Sequence, residues 1–160
     1  MGGIFNLYLS FFSTVTLKKT LPYKKSLLLI TINLALGGLI LSFLLYGLYY
    51  ILWGIFLTAV PGILFIFYTA FVTHIALKIF SNRSFAHTLT PYALATIPAL
   101  FSWIPFVYYI TVLMSIYILI KGLMLQHHIK WYKAVLAFMI VMVINYALIL
   151  AAVMFFGGIA

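Results

Sequence analysis

The chain contains no aspartate, no glutamate and no cysteine among its 160 residues. Without carboxylate side chains it cannot form acid–base pairs, triads with an acidic member, carboxylate metal sites or carboxylate proton relays. Without cysteine it has no disulfide, no thiolate nucleophile and no thiolate metal ligand. These absences argue against an enzyme, and we expect no catalytic residue, no cofactor and no metal.

Charged residues of either sign are also scarce, because only 6% of the chain is charged and 68% is apolar. Soluble domains carry roughly a quarter charged and about 45–50% apolar residues. Such a chain cannot cover its surface with polar groups, so lipid must be its main solvent. Its length fits one domain. The composition therefore predicts an all-α integral membrane protein.

The first residues have the rhythm of an amphipathic helix that lies on a membrane surface. Apolar side chains recur on one helical face at Ile4, Phe5, Tyr8, Phe11, Phe12 and Val15. We predict an interfacial helix and basic segment over residues 1–25, followed by a transmembrane domain over residues 26–160. The alternative is a disordered or partner-bound tail.

An uncharged run follows from Ser26 to Leu57, and its 32 residues would measure about 48 Å as a helix, more than the hydrocarbon core. A helix of that length should tilt, bend or run past the far headgroups, and Gly37-Gly38 is its weakest point. Pro61 and Gly62 then predict a break. The first two spans are therefore predicted at 26–57 and 62–79.

Residues 85–120 carry no charge but contain Pro91, Pro98 and Pro105. This section is either one kinked helix or two spans with a turn before Pro105. Two spans would leave every Lys and Arg on one side of the membrane, as cytoplasmic loops require. We therefore predict a bundle of five transmembrane helices, with later spans at 86–102, 105–125 and 133–156. Its N-terminus is expected in the cytoplasm and its C-terminus outside.

The basic residues form short clusters that border apolar runs, which fits anionic lipid headgroups better than nucleic acid. We expect all nine to contact lipid or an acidic partner: Lys18, Lys19, Lys24, Lys25, Lys78, Arg83, Lys121, Lys130 and Lys133. Other membrane proteins are also expected partners.

The remaining polar residues are few. The four histidines all lie toward the predicted cytoplasmic side, but no two have the i, i+4 spacing of helical zinc ligands. We favour solvated interfacial histidines over a metal site. Asn33 and Asn145 lie deep in the predicted spans, and we expect them to hydrogen-bond between helices rather than to bind a substrate or ion.

Several segments resemble the Yip1-domain family of membrane proteins. The matching stretches are residues 21–25 (LPYKK), 84–89 (SFAHTL), 92–98 (YALATIP), 116–123 (IYILIKGL) and 131–134 (WYKA). The resemblance implies five spans and a cytoplasmic N-terminus. Eukaryotic members act in vesicle trafficking with small GTPases, but this chain lacks their Asp-Leu-Tyr-Gly-Pro motif. The resemblance therefore implies a short member of prokaryotic type, in a prokaryotic cell membrane.

Three functions are compatible with these features. The first is a non-enzymatic scaffold or adaptor whose basic cytoplasmic face contacts anionic lipid or an acidic partner. The second is a small accessory subunit of a larger membrane enzyme or respiratory complex, which would supply the missing acidic residues. The third is a small channel or transporter that uses the proline-interrupted spans. It ranks last because no intramembrane charge is available to select ions.

Overall fold

The computed structural model of the protein describes residues 20–46, 51–102 and 104–157. Within these ranges it contains no strand and five α-helices: α1 (Tyr23–Tyr46), α2 (Ile51–Lys78), α3 (Phe85–Ala99), α4 (Pro105–His127) and α5 (Trp131–Gly157). The predicted all-α class is confirmed. The predicted interfacial helix falls almost entirely on residues 1–19, outside the described part of the chain.

Four of the helices are long and apolar enough to cross a membrane: Tyr23–Leu44, Leu52–Lys78, Pro105–His127 and Trp131–Phe155. Their mean hydropathy lies between 1.8 and 2.6. Each of them has many large apolar side chains exposed on its outer face, as expected where lipid is the solvent. The chain is a multi-pass integral membrane protein.

The boundary between the first two helices differs from the prediction. The break predicted at Pro61 and Gly62 is wrong, because both residues lie inside α2. α1 ends at Tyr46 instead, so its 24 residues measure about 36 Å and fit a bilayer with little tilt. Proline stops helices in water, but in a membrane bundle neighbouring groups can satisfy the backbone that it frees.

α1 and α2 pack closely through small residues. A Cβ atom on Gly38 would meet the Thr58 hydroxyl and would lie 3.0 Å from the Gly54 carbonyl oxygen and 3.1 Å from Ile55 Cα. A Cβ atom on Gly54 would overlap the Ser42 side chain. The two helices can approach this closely only because neither glycine has a side chain. Gly38, predicted as part of the weakest point of the span, is therefore a close contact between α1 and α2.

α3 is the core of the bundle. It packs against α1, α2 and α4, and nearly every residue from Thr88 to Pro98 is buried. Its 15 residues reach only about 22 Å, less than the hydrocarbon thickness. A short helix that contains Pro91 and Pro98 is tolerated here because protein, not lipid, surrounds it.

The turn predicted before Pro105 is confirmed, since α3 ends at Ala99 and α4 begins at Pro105. α3 and α4 then pack tightly, and a Cβ atom on Gly122 would lie 2.8 Å from Pro91 Cβ. α5 packs against α2 and α4 through its first half, where Ala134 and Ala137 are fully buried. Its second half is exposed from residue 146 to residue 155.

Candidate functional site

Three hydrogen bonds bring the ends of four helices together. Before α1, the Thr20 hydroxyl donates to Gln126 Oε1 on α4 at 2.6 Å. The Leu21 N–H donates to the Thr90 hydroxyl on α3 at 3.1 Å. After α2, the Ser81 hydroxyl donates to the carbonyl oxygen of His127, the last residue of α4, at 3.2 Å. The start of α1, the end of α2, the start of α3 and the end of α4 therefore share one end of the bundle.

The start of α5 joins the same end. Lys133, in its first turn, places Nζ 5.2 Å from the centre of the Phe80 ring, which follows α2 and provides a cation–π contact. We call this end, where all five helices have one terminus, the basic end. Every Lys and Arg that the structure describes lies at it or within two turns of it: Lys24, Lys25, Lys78, Arg83, Lys121, Lys130 and Lys133. Lys18 and Lys19 lie outside the described residues.

These seven cations have different surroundings. Five of them are exposed: Lys24, Lys25, Lys78, Arg83 and Lys130. Lys121 instead donates to the Tyr117 hydroxyl at 2.6 Å. No carboxylate side chain exists anywhere in the chain, so none of the seven can form an ion pair with an acidic side chain of its own chain. Their counter-ions must come from outside, and the predicted contacts with lipid or a partner remain a prediction.

A half-open cavity of about 570 Å³ lies at the basic end. It is lined by three groups able to carry positive charge, by two polar side chains and by three apolar ones: Arg83, His87, His128, Thr20, Gln126, Met124, Leu125 and Ile129. Arg83 is the one predicted contact residue among them. The Thr20–Gln126 hydrogen bond forms one wall and ties the segment before α1 to α4.

His128 enters the cavity because of how α4 ends. Its backbone has φ 54°, in the left-handed region that commonly terminates helices and that histidine tolerates better than most residues. The Ile129 N–H donates back to the Met124 carbonyl at 3.1 Å, which closes the last turn. As a result His128 is exposed in the cavity lining, whereas its neighbour His127 is buried.

His127 belongs to a buried hydrogen-bond chain behind the cavity. Its Nδ1 lies 3.3 Å from the Ser81 hydroxyl, and its Nε2 lies 3.0 Å from the hydroxyl of Thr88. The same Thr88 oxygen lies 2.9 Å from Nδ1 of His74. A single hydroxyl of α3 therefore joins histidines of α2 and α4.

The donors in this chain follow from counting protons. Ser81 uses its only hydroxyl proton on the His127 carbonyl, so His127 must donate to Ser81 through Nδ1–H. In neutral His127 the other nitrogen then accepts from Thr88, and His74 must donate its own Nδ1–H to Thr88. Each imidazole is thereby held in one tautomer, and the network locks α2, α3 and α4 together.

His87 lines the cavity from the first turn of α3. Its Nδ1 lies 2.9 Å from the Ser84 hydroxyl. The ring centre of His127 lies 6.4 Å away. In the described part of the chain, no three histidines are placed to hold a metal ion.

The two deep asparagines have different environments. Asn33, which is buried, donates from Nδ2 to the Thr96 hydroxyl at 2.8 Å and so links α1 to α3, as predicted for an interhelical hydrogen bond. Asn33 and Thr96 also line a second cavity of about 280 Å³ in the half of the bundle away from the basic end. Asn145 is half-buried, where α5 leaves its neighbours.

The sequence did not reveal three residues of the basic end: Thr20, Thr88 and Gln126. They are scattered over 106 residues of the chain, and no short motif connects them. Their roles depend on which helix ends meet, which only the tertiary structure shows. The four histidines were expected on one side and solvated. The structure places all of them at the basic end, but His127 is buried there and not solvated.

In comparisons with known proteins, no family model, no curated protein and no solved structure matches this chain. The resemblance to Yip1-domain proteins therefore stays a prediction. Function has to be inferred from the chemistry of the basic end itself.

Proposed function

We propose that the protein is a non-enzymatic membrane scaffold or adaptor of Yip1-like type whose basic end binds anionic lipid headgroups or an acidic partner. The observation that supports this is the placement of all seven described cations at one end of the helices. With no acidic side chain in the sequence, each of them is available to an external anion.

The electrostatic gain from such contacts is substantial. A Lys or Arg near an anionic membrane surface gains about 1 kcal/mol. Five of the described cations are exposed, Lys24, Lys25, Lys78, Arg83 and Lys130. Together they would contribute about 5 kcal/mol by that measure. This is enough to hold the basic end against an anionic leaflet and to fix the orientation of the bundle.

The topology that goes with this proposal has the basic end in the cytoplasm, since cytoplasmic loops concentrate Lys and Arg. α3 then acts as a fifth, shortened crossing inside the bundle, and the C-terminus lies outside. The residues before α1 are proposed to lie on the cytoplasmic surface as an interfacial segment, where Lys18 and Lys19 add to the charge. The membrane is proposed to be a prokaryotic cell membrane.

The proposal is tested with the purified protein in bilayers that contain phosphatidylcholine and a minor fraction of spin-labelled lipid. We expect spin-labelled phosphatidylglycerol to be retained at the protein surface in preference to spin-labelled phosphatidylcholine. That preference should fall as salt is raised, because salt screens exposed charges. Equal retention of the two spin-labelled lipids at every salt concentration would contradict the proposal.

A second candidate, an accessory subunit of a larger membrane complex, is favoured by the outer half of α5. Its side chains from residue 146 to residue 155 are exposed, and Asn145 introduces an amide next to this apolar surface. A partner helix would satisfy that amide. Co-elution in mild detergent with one multisubunit complex at fixed stoichiometry would favour this candidate over the first.

A further inference from the structure

We propose that the cavity at the basic end is a stoichiometric binding site for a phosphate group, carried by a lipid headgroup or by a soluble phosphate compound. This deepens the proposed function, on which it rests, because it adds one specific site to a diffuse electrostatic surface. The two differ in what they predict: a diffuse surface depends on the number of charges, whereas a site depends on which charges line it.

The charge of the cavity is the first reason. Arg83 lines it, and a guanidinium can donate two parallel hydrogen bonds to a phosphate. In soluble proteins an arginine so placed commonly pairs with Asp or Glu, and this chain has neither. The ligand that completes the pairing must therefore be an anion from outside the chain.

The donors around Arg83 are the second reason. His87 and His128 both line the cavity. A neutral imidazole carries one N–H donor, on Nδ1 or on Nε2, and a protonated imidazole carries two. α3 begins at Phe85, between Arg83 and His87, so the positive end of its dipole adds to the same region. Three donor-bearing side chains with no competing acidic group suit a tetrahedral, multiply charged acceptor.

The rigidity and size of the cavity are the third reason. The left-handed turn at His128 and the Thr20–Gln126 hydrogen bond fix two of its walls. The volume of about 570 Å³ far exceeds the roughly 30 Å³ share of one water molecule. It therefore has room for a phosphate together with part of the organic group that it esterifies. Met124, Leu125 and Ile129 supply an apolar lining for that group.

The histidines make binding depend on pH. A neutral imidazole donates one hydrogen bond and a protonated one donates two. A phosphate bound next to His87 attracts a positive charge and therefore stabilises the protonated ring. The other titratable groups that face His87 are His127 and His128, both from the end of α4. Affinity should therefore increase as pH falls from about 7.5 to about 5.5.

The test uses the full chain in nanodiscs with two arms that separate the sources of phosphate. In the first arm, inorganic phosphate is titrated into protein in pure phosphatidylcholine nanodiscs and the heat of binding is measured. In the second, phosphatidylglycerol is added to the discs and the lipids retained per protein are counted by native mass spectrometry. Phosphatidylglycerol is a phosphodiester that does not titrate in this pH range, so a pH effect in this arm reports the protein.

Two variants decide whether the cavity is the site. Arg83→Gln removes the charge that lines the cavity, and Lys130→Gln removes an exposed charge of the same end that does not line it. We expect Arg83→Gln to weaken the saturable binding about tenfold or more, as for the loss of charge-assisted hydrogen bonds. Lys130→Gln should keep one saturable site and lower only the diffuse, salt-sensitive lipid preference. Arg83→Lys should bind more tightly than Arg83→Gln but less tightly than the unmodified protein. It keeps the positive charge but lacks the planar guanidinium that donates two parallel hydrogen bonds. His87→Gln should flatten the pH dependence. Far-UV circular dichroism checks that each variant keeps its helices.

The outcomes are distinct. Saturable binding of one phosphate or one phosphatidylglycerol that Arg83→Gln abolishes supports the site, and the arm in which it occurs identifies the source. Equal losses in Arg83→Gln and Lys130→Gln, with a salt-sensitive lipid preference retained, would overturn the site and leave the proposed function intact. No dependence on phosphate, on lipid charge or on salt would overturn both.

Discussion

The packing of α1 against α2 makes a sharp prediction about two adjacent glycines. Both Gly37 and Gly38 lie inside α1, so replacing either by alanine changes the helix propensity equally. A Cβ atom on Gly37 would have nothing within 4 Å, whereas one on Gly38 would meet the Thr58 hydroxyl and the backbone of α2. Gly37→Ala is therefore a matched control for Gly38→Ala.

The magnitudes follow from these contacts. Alanine in place of a helical glycine stabilises by about 1 kcal/mol, and for Gly37→Ala nothing opposes that gain. At Gly38 the backbone atoms of Gly54 and Ile55 cannot move aside, and overpacking of this kind costs about 1–3 kcal/mol. Thr58 must also rotate and lose its 2.7 Å hydrogen bond to the Gly54 carbonyl, a further cost of about 1 kcal/mol. The two variants should differ by about 2–4 kcal/mol in unfolding free energy.

The measurement is reversible unfolding of each variant in mixed micelles by increasing fractions of denaturing detergent, followed by circular dichroism. Gly37→Ala should unfold at a higher detergent fraction than the unmodified protein, and Gly38→Ala at a lower one. If the two variants agreed within about 0.5 kcal/mol, the ordinary spread of surface substitutions, α1 and α2 would not pack through Gly38 and the reasoning would fail.

Two further predictions concern the basic end. Thr88→Val should destabilise the bundle by about 1–3 kcal/mol, because His74 and His127 each lose a buried hydrogen-bond partner, and Thr88→Ser should restore most of the stability; equal unfolding curves for the two variants would exclude the network. Because the chain has no cysteine, a single introduced cysteine is the one thiol that a reagent can label. An impermeant thiol reagent should label Asn82→Cys and Lys130→Cys from one face of a sealed vesicle. It should label Ser102→Cys from the other face. Labelling of Asn82→Cys and Lys130→Cys from opposite faces would contradict the common basic end.

The five helices of the described residues and the turn between α3 and α4 could be predicted because charge is a global constraint. A cation is costly to bury in hydrocarbon, so the positions of Lys78, Arg83 and Lys121 limit how often the chain can cross. That argument needs no knowledge of side-chain contacts. It therefore selected two helices rather than one kinked helix between residues 85 and 120, and the structure has two.

The boundary between α1 and α2 could not be predicted in the same way, because no charge lies between Lys25 and Lys78. Only local signals remained, and the strongest of them, Pro61, was misleading inside a membrane bundle. The burial of α3 at the core of the bundle could not be predicted either. An uncharged segment that contains prolines has the sequence pattern of an ordinary, proline-interrupted transmembrane helix. Its burial depends on the three helices around it.

The candidate site was likewise predictable only in the part that depends on charge. Arg83 was identified from the sequence, because its charge places it at the basic end wherever the chain folds. The cavity could not be identified from the sequence. It is lined by Thr20 and Gln126, which are 106 residues apart, and it depends on the left-handed backbone of His128, which no sequence pattern predicts. Charge determines the side of the membrane, whereas tertiary packing determines the site.

The short length of α3 connects the fold to the proposed chemistry. Because α3 is buried by protein, it can carry hydroxyl groups such as Thr88 and Thr90 that would be costly against lipid, and these bind the ends of α1, α2 and α4 from within. The polar crosslinks therefore lie inside the basic end, while Arg83 lines the cavity there with no acidic side chain in the sequence to pair with it. A bundle built in this way fixes the backbone around Arg83, and such preorganisation is what would let the proposed site prefer one bound anion over a diffuse ionic atmosphere.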